Sequence, residues 1–158
     1  MSLDLDRPLL RQLVHRASLF TRGMTMGVRG IAIDGQARVC LVRHTYVAGW
    51  HLPGGGIEPG ETAEASMIRE FREECEIHVH PEVPLRLHGL CLNRALRARD
   101  HIAVFMAPAW TLDRPKAPDR EIAGSAFFPL DALPPDTTRG TRERLAEVRD
   151  GRPAAAHW

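Results

Sequence analysis

Four carboxylates crowd a short stretch of this chain, at Glu70, Glu73, Glu74 and Glu76. If the stretch is helical, residues three and four apart share a face, so Glu70, Glu73 and Glu74 project together. Like charges at that spacing repel by roughly a few tenths of a kcal/mol per pair. A cation among them relieves the repulsion. The donors are all hard oxygens, which selects Mg2+ first and Mn2+ second, and disfavours zinc. A Glu-rich helix is also a common solvated face, with Arg69 and Arg72 as ion-pair partners worth about 0–1 kcal/mol each. The helix alone leaves both readings open.

The segment ahead of it shifts the balance. Pro53-Gly54-Gly55-Gly56 and then Pro59-Gly60 form a tightly turning backbone with few side chains to fill a core. Such a loop presents carbonyls and amides. Thr62 then has the character of a helix N-cap, with Glu64 in the first turn favoured by the helix dipole. Loop oxygens and helix carboxylates can therefore converge on one point.

Gly55, Glu61, Arg69, Glu70, Phe71, Glu73, Glu74 and Ile77 stand at the spacing of a long motif, and the segment resembles the signature of the Nudix hydrolases. Glu76 is the one departure, where that family has glycine. A Glu in the left-handed conformation of a helix-ending glycine costs roughly 1 kcal/mol, so a slightly altered helix end with an intact metal site is expected. The resemblance implies an α/β fold, the Nudix-type α/β/α sandwich with a mixed β-sheet. It also implies a Mg2+-dependent pyrophosphohydrolase (Mn2+ being the second choice) acting on a small nucleotide or nucleoside diphosphate derivative. Glu70, Glu73, Glu74 and the carbonyl of Gly54 would be the metal ligands. The base would be Glu70 or an acid on a later loop, Asp119 or Glu121. Arg69 would orient Glu70, and Glu61 would brace the loop.

On the substrate side the candidates are Arg43, Trp50 and Gly55. Arg43 ends a strand and could grip a phosphate or be a surface residue; Trp50 could stack on a base or pack in the core. Arg94, Arg97 and Arg99 could select an anion or solvate a loop. No substrate-subgroup marker appears between Ile77 and Asp100. Two rival readings remain: a catalytically weak Nudix-like nucleotide-binding or sensor domain, motivated by Glu76 and by the missing subgroup marker, and a structural or interaction protein whose Glu-rich helix is only a solvated face.

The elements that must hold these residues follow from periodicity. Met24 to Ile33 and Ala37 to Arg43 read as strands joined by a hairpin turn at Asp34-Gly35. Leu85 to Leu92, Ile102 to Trp110 and Ala126 to Phe128 read as further strands, and Thr141 to Asp150 as a last helix after Pro134-Pro135. Leu9, Leu10, Leu13, Val14 and Ala17 recur at helical spacing, giving an amphipathic helix from Pro8 to about Phe20 that packs on the domain or on a second subunit. The division expected is an N-terminal helical extension over 1–21, a catalytic domain over 22–150 and a C-terminal tail over 151–158, with a homodimer possible.

At 158 residues the chain suits one domain. A net charge of +1 argues against general affinity for nucleic acid or acidic membranes. Cys40, Cys75 and Cys91 lack metal-ligand spacing and read as small buried residues in a reducing compartment. With no secretory signal and no apolar run near ~20 residues, the expected location is cytoplasmic.

Overall fold

The computed structural model describes residues 23–94 and 99–158. The helix expected over 8–20, and Arg97, fall outside them. In chain order the elements are β1 (Thr25–Ala32), β2 (Arg38–His44), α1 (Ala63–Cys75), β3 (Ile77–Val79), β4 (Arg86–Asn93), β5 (Asp100–Ala107), β6 (Trp110–Leu112), β7 (Ile122–Pro129) and α2 (Arg139–Arg149).

Side chains alternate faces along a strand, and that alternation divides the apolar residues into two cores. Val28 and Ala32 of β1, Cys40 and Val42 of β2, and Ala103 and Phe105 of β5 pack with Met67, Phe71 and Cys75 of α1. Their alternate neighbours Ile31, Val39, Leu41, Ile102 and Val104 pack with Leu145 of α2. The two helices thus cover opposite faces of the strands, which is the expected α/β/α sandwich. The sheet is mixed: β1 runs parallel to β5, and β4 antiparallel to it. A second ladder pairs β2 with β7, and a third pairs β3 with β6.

The Asp34-Gly35 hairpin is realised only at its tip. Asp34 Oδ1 accepts the amides of Gln36 and Arg38, Ala37 takes φ +56°, and one bridge joins Ile33 to Val39. Beyond that bridge the strands part. The edge of β1 away from β5 is taken by the Gly-rich segment: Val28 N–H donates to Gly55 O (2.8 Å), Gly30 N–H to Pro53 O (2.8 Å) and Ile57 N–H to Met26 O (3.0 Å). Two residues before Pro53 the same segment pairs with β2, where Val42 and His51 exchange both backbone bonds. Residues 50–57 therefore stitch the two larger ladders together.

Three strand expectations change. The stretch expected from Ile102 to Trp110 is two strands, broken where Pro108 has no N–H to give. β3 was not anticipated, since three residues carry too little pattern. β7 is longer than its apolar centre, and α2 begins at Arg139, ahead of the expected Thr141. Residues 151–158 are tied to the body: Leu92 N–H donates to Ala156 O, Trp158 N–H to Leu92 O, and Arg144 Nη1 to His157 O (2.8 Å).

Candidate active site

Helix α1 starts at the Thr62 cap, whose Oγ1 accepts the Ala65 amide at 3.1 Å. Its inward stripe is Ser66, Met67, Glu70, Phe71, Glu74 and Cys75. Two charged residues on that stripe are only 8% exposed, Glu70 and Glu74. They face the Gly-rich segment. The Gly54 amide donates to Glu74 Oε2 at 2.7 Å. At Gly55 a Cβ would stand 2.6 Å from Glu70 Oε1, so any side chain here would push the carboxylate from its place. Gly54 has φ +140° and lies against the Val28 carbonyl, again leaving no room for a side chain.

Arg69 gathers the other acids. Its Nε reaches Glu61 Oε1 (2.9 Å), its Nη1 reaches Glu70 Oε1 (2.7 Å) and Glu73 Oε2 (3.2 Å), and its Nη2 reaches Gly56 O (3.3 Å). Those hydrogen bonds, with the Glu58 amide, hold Glu61 down at about 2. Glu70 is raised by burial despite Arg69. Glu74 is raised to about 7, first by burial, with Glu70 and Glu121 adding to the rise against the Gly54 amide and Arg29.

Among the described residues no three His, Cys, Asp or Glu side chains form a ready-made metal cage. One guanidinium nitrogen, Arg69 Nη1, touches both Glu70 and Glu73, so a cation shared by those two would have to displace it. The donor chemistry nonetheless suits a hard dication. The buried groups are carboxylates whose ionised form is under-compensated, and the carbonyls beside them are oxygen donors too.

Sequence reasoning missed two neighbours of Glu74. His44 Nε2 lies 3.6 Å from Glu74 Oε1. Burial, then Arg29 and His51, push His44 down to about 4, so it is neutral near pH 7 and this contact is no ion pair. Arg29, on β1, donates from Nη1 to Leu52 O (2.8 Å) and Gly54 O (2.9 Å). Its one sequence signal was a charge inside an otherwise apolar strand, VRGIAI.

Arg43 pairs with Asp136 and lies 5.1 Å above the Trp50 ring. Trp50 packs edge-on against Phe128 at 4.8 Å. Beside Arg43 is a cavity of about 400 Å³ whose lining includes Tyr46, Gly49 and Asp136, and Tyr46 is 70% exposed. Of the two late acids, Asp119 accepts the Glu121 and Ile122 amides and pairs with Lys116, which holds it well below the usual carboxylate range. The Glu121 carboxylate is exposed and close enough to influence Glu74. Glu76 takes φ +57°, ψ +25°, and its amide still bonds Arg72 O at 3.1 Å. The helix end is thus the left-handed one a glycine would make, not the altered one expected.

A NUDIX domain model matches residues 24–148, and the chain belongs to that family. It is 40% identical over 50 residues to a Bacillus subtilis protein provisionally named an 8-oxo-dGTP diphosphatase, covering 32% of this chain and 34% of that one. It is 30% identical over 125 residues to Bacillus subtilis YjhB, provisionally named an ADP-ribose pyrophosphatase, covering 78% of this chain and 59% of the relative. The chain thus spans about a third and about three fifths of these relatives. Among solved structures, the MutT NUDIX hydrolase of Burkholderia pseudomallei superposes with a TM-score of 0.66 at 25% identity, over 78% of this chain and 97% of that one. Among the described residues no helix is long and apolar enough to cross a membrane.

Proposed function

We propose that the chain is a divalent-metal-dependent pyrophosphohydrolase that cleaves the diphosphate linkage of a small nucleotide or nucleoside diphosphate derivative. The observation that carries this reading is the burial of Glu70 and Glu74 against the Gly54-Gly55 backbone. Two like charges held there, each raised above its usual pKa, are costly unless a cation completes them.

Glu70, Glu73 and Glu74, with the Gly54 carbonyl, would hold Mg2+, or Mn2+ in its place. When bound, the ion neutralises diphosphate charge and acidifies a coordinated water. The chain's own groups do the positioning. Arg69 stays anchored to Glu61 through Nε, so its guanidinium remains beside Glu70 when a cation takes the place of Nη1 between Glu70 and Glu73. The Gly54 amide orients Glu74. Glu121, whose exposed carboxylate makes no hydrogen bond or ion pair among the described residues, is the late-loop candidate for the base; Asp119 is committed to its loop. Arg43 would release Asp136 to grip a phosphate bidentately, backed by Trp50, and Gly55 would let the substrate approach the main chain. The names of the relatives favour oxidised guanine nucleotides and ADP-ribose as the first substrates to try.

The sensor reading drew on Glu76 and on the missing subgroup marker; the preserved helix end weighs against the first of these. The deciding assay measures phosphate or nucleoside monophosphate release from nucleoside triphosphates, 8-oxo-dGTP, ADP-ribose and nucleotide sugars, with Mg2+, with Mn2+ and with chelator. Cleavage of one class that chelator abolishes is the expected result. No turnover of any substrate with either metal overturns the proposal.

A further inference from the structure

We propose that Arg29 is a positioning residue for this site: its half-buried guanidinium, pinned to the carbonyls of Leu52 and Gly54, holds the Gly-rich segment rigid above Glu70 and Glu74. The inference rests on the hydrolase reading for its kinetic consequence but not for its geometry.

Arg29 alternates with Ile31 of β1 and with Ile33 just past its end, the first in the α2-side core and the second packed against it. A charged residue in that series is out of pattern. Drawing a guanidinium partly out of water costs free energy that an apolar residue of similar volume would not incur. A different advantage must account for the guanidinium, and its contacts supply one. A single nitrogen, Nη1, donates to Leu52 O at 2.8 Å and to Gly54 O at 2.9 Å. The intervening Pro53 is held by its own carbonyl on the Gly30 amide at 2.8 Å. Gly54 is then restrained on both sides, its carbonyl on Arg29 and its amide on Glu74 Oε2. A glycine, here at φ +140°, has conformational freedom that other residues lack. Arg29 removes that freedom at the point where the main chain meets the carboxylates. It also stands as the cation beside Glu74, while Arg69 serves Glu61, Glu70 and Glu73.

The test uses R29M and R29K in the full chain. Because one nitrogen makes both bonds, a lysine ammonium can replace it, whereas methionine fills the volume and makes neither. R29M should lower kcat about 100-fold, the scale of a small misplacement of reacting groups, with KM within threefold of the parent. R29K should recover at least tenfold of that loss. Independently of turnover, amide hydrogen exchange in R29M should lose protection at Val28, Gly30 and Gly54 while Cys40 and Leu41 in the β2–β7 ladder keep theirs. Parent-like exchange at those three amides overturns the proposal, as does an R29K variant no better than R29M. Should R29M fail to fold, exchange at Val28, Gly30 and Gly54 in R29K decides alone, parent-like protection supporting the role and its loss overturning it. If the parent cleaves nothing in the nucleotide panel, the hydrolase reading fails while the exchange result still judges Arg29.

Discussion

Glu73 and Glu74 differ in setting although they adjoin in sequence. Glu74 is buried and tied to the Gly54 amide, whereas Glu73 is half-exposed and, among the described residues, tied to Arg69 alone. Changing either to Gln should lower kcat by about 100-fold or more while leaving the far-ultraviolet circular dichroism unchanged; near-parent turnover removes that residue from the site. Glu74→Ala, which removes the acceptor of the Gly54 amide altogether, should in addition slacken the Gly-rich segment. Glu76 makes the opposite kind of prediction. It holds a left-handed conformation at a steric cost of about 1 kcal/mol, so Glu76→Gly should raise the melting temperature by roughly 2–4 °C with kcat unchanged. A fall in melting temperature would show that the side chain, not the backbone, governs this helix end.

At the scale of elements, α1 approaches β1 through one missing side chain. A Cβ at Gly30 would collide with the Phe71 ring and meet the Met67 methyl at 2.7 Å. Gly30→Ala should therefore wedge the helix off the strand, destabilising the protein by about 1–3 kcal/mol, and reduce kcat because Glu70 and Glu74 ride on the displaced helix. Denaturant unfolding and single-turnover rates would show both effects, or separate them. The motif spacing made α1, its Thr62 cap and its acidic face legible from the sequence, because capping and helical periodicity are local. What was not legible is long-range. Nothing near Asp34-Gly35 says that β1 will choose β5 and the Gly-rich segment as neighbours; that choice depends on residues 53–57 offering backbone partners without side chains. Arg29 was missed for a related reason. Its partners are the carbonyls of Leu52 and Gly54, and main-chain acceptors carry no sequence label. Trp50 carried two readings from its type alone, and its neighbours Phe128 and Arg43 come from elements distant in the chain.

Across the whole molecule, a buried polar knot ties α2, β4 and the last residues together. Glu147 accepts from Arg144 (2.6 Å) and the Ala155 amide (3.0 Å), and contacts His88 Nε2 at 3.1 Å. Burial pushes the Glu147 pKa up, but those three partners outweigh it and the net shift is downward from 4.5. A carboxylate lowered on folding contributes stability that is complete above about pH 4.5 and is lost as pH falls through the folded value, because the unfolded chain then binds the extra proton. Melting temperatures measured from pH 6 to pH 3 should thus fall less steeply in Glu147→Gln than in the parent, though from a lower start; parallel curves would exclude this carboxylate as an acid-sensitive tie. The stitching of residues 50–57 to β2 on one side and β1 on the other has its own consequence for how the protein fails on heating. Many enzymes inactivate first by local melting of a catalytic loop, and afterwards unfold. Here the segment over the carboxylates is part of the sheet network, so it has no separate melting transition to undergo. Heat inactivation should coincide with global unfolding, and extra thermostability gained anywhere in the strands should appear directly as a longer active lifetime.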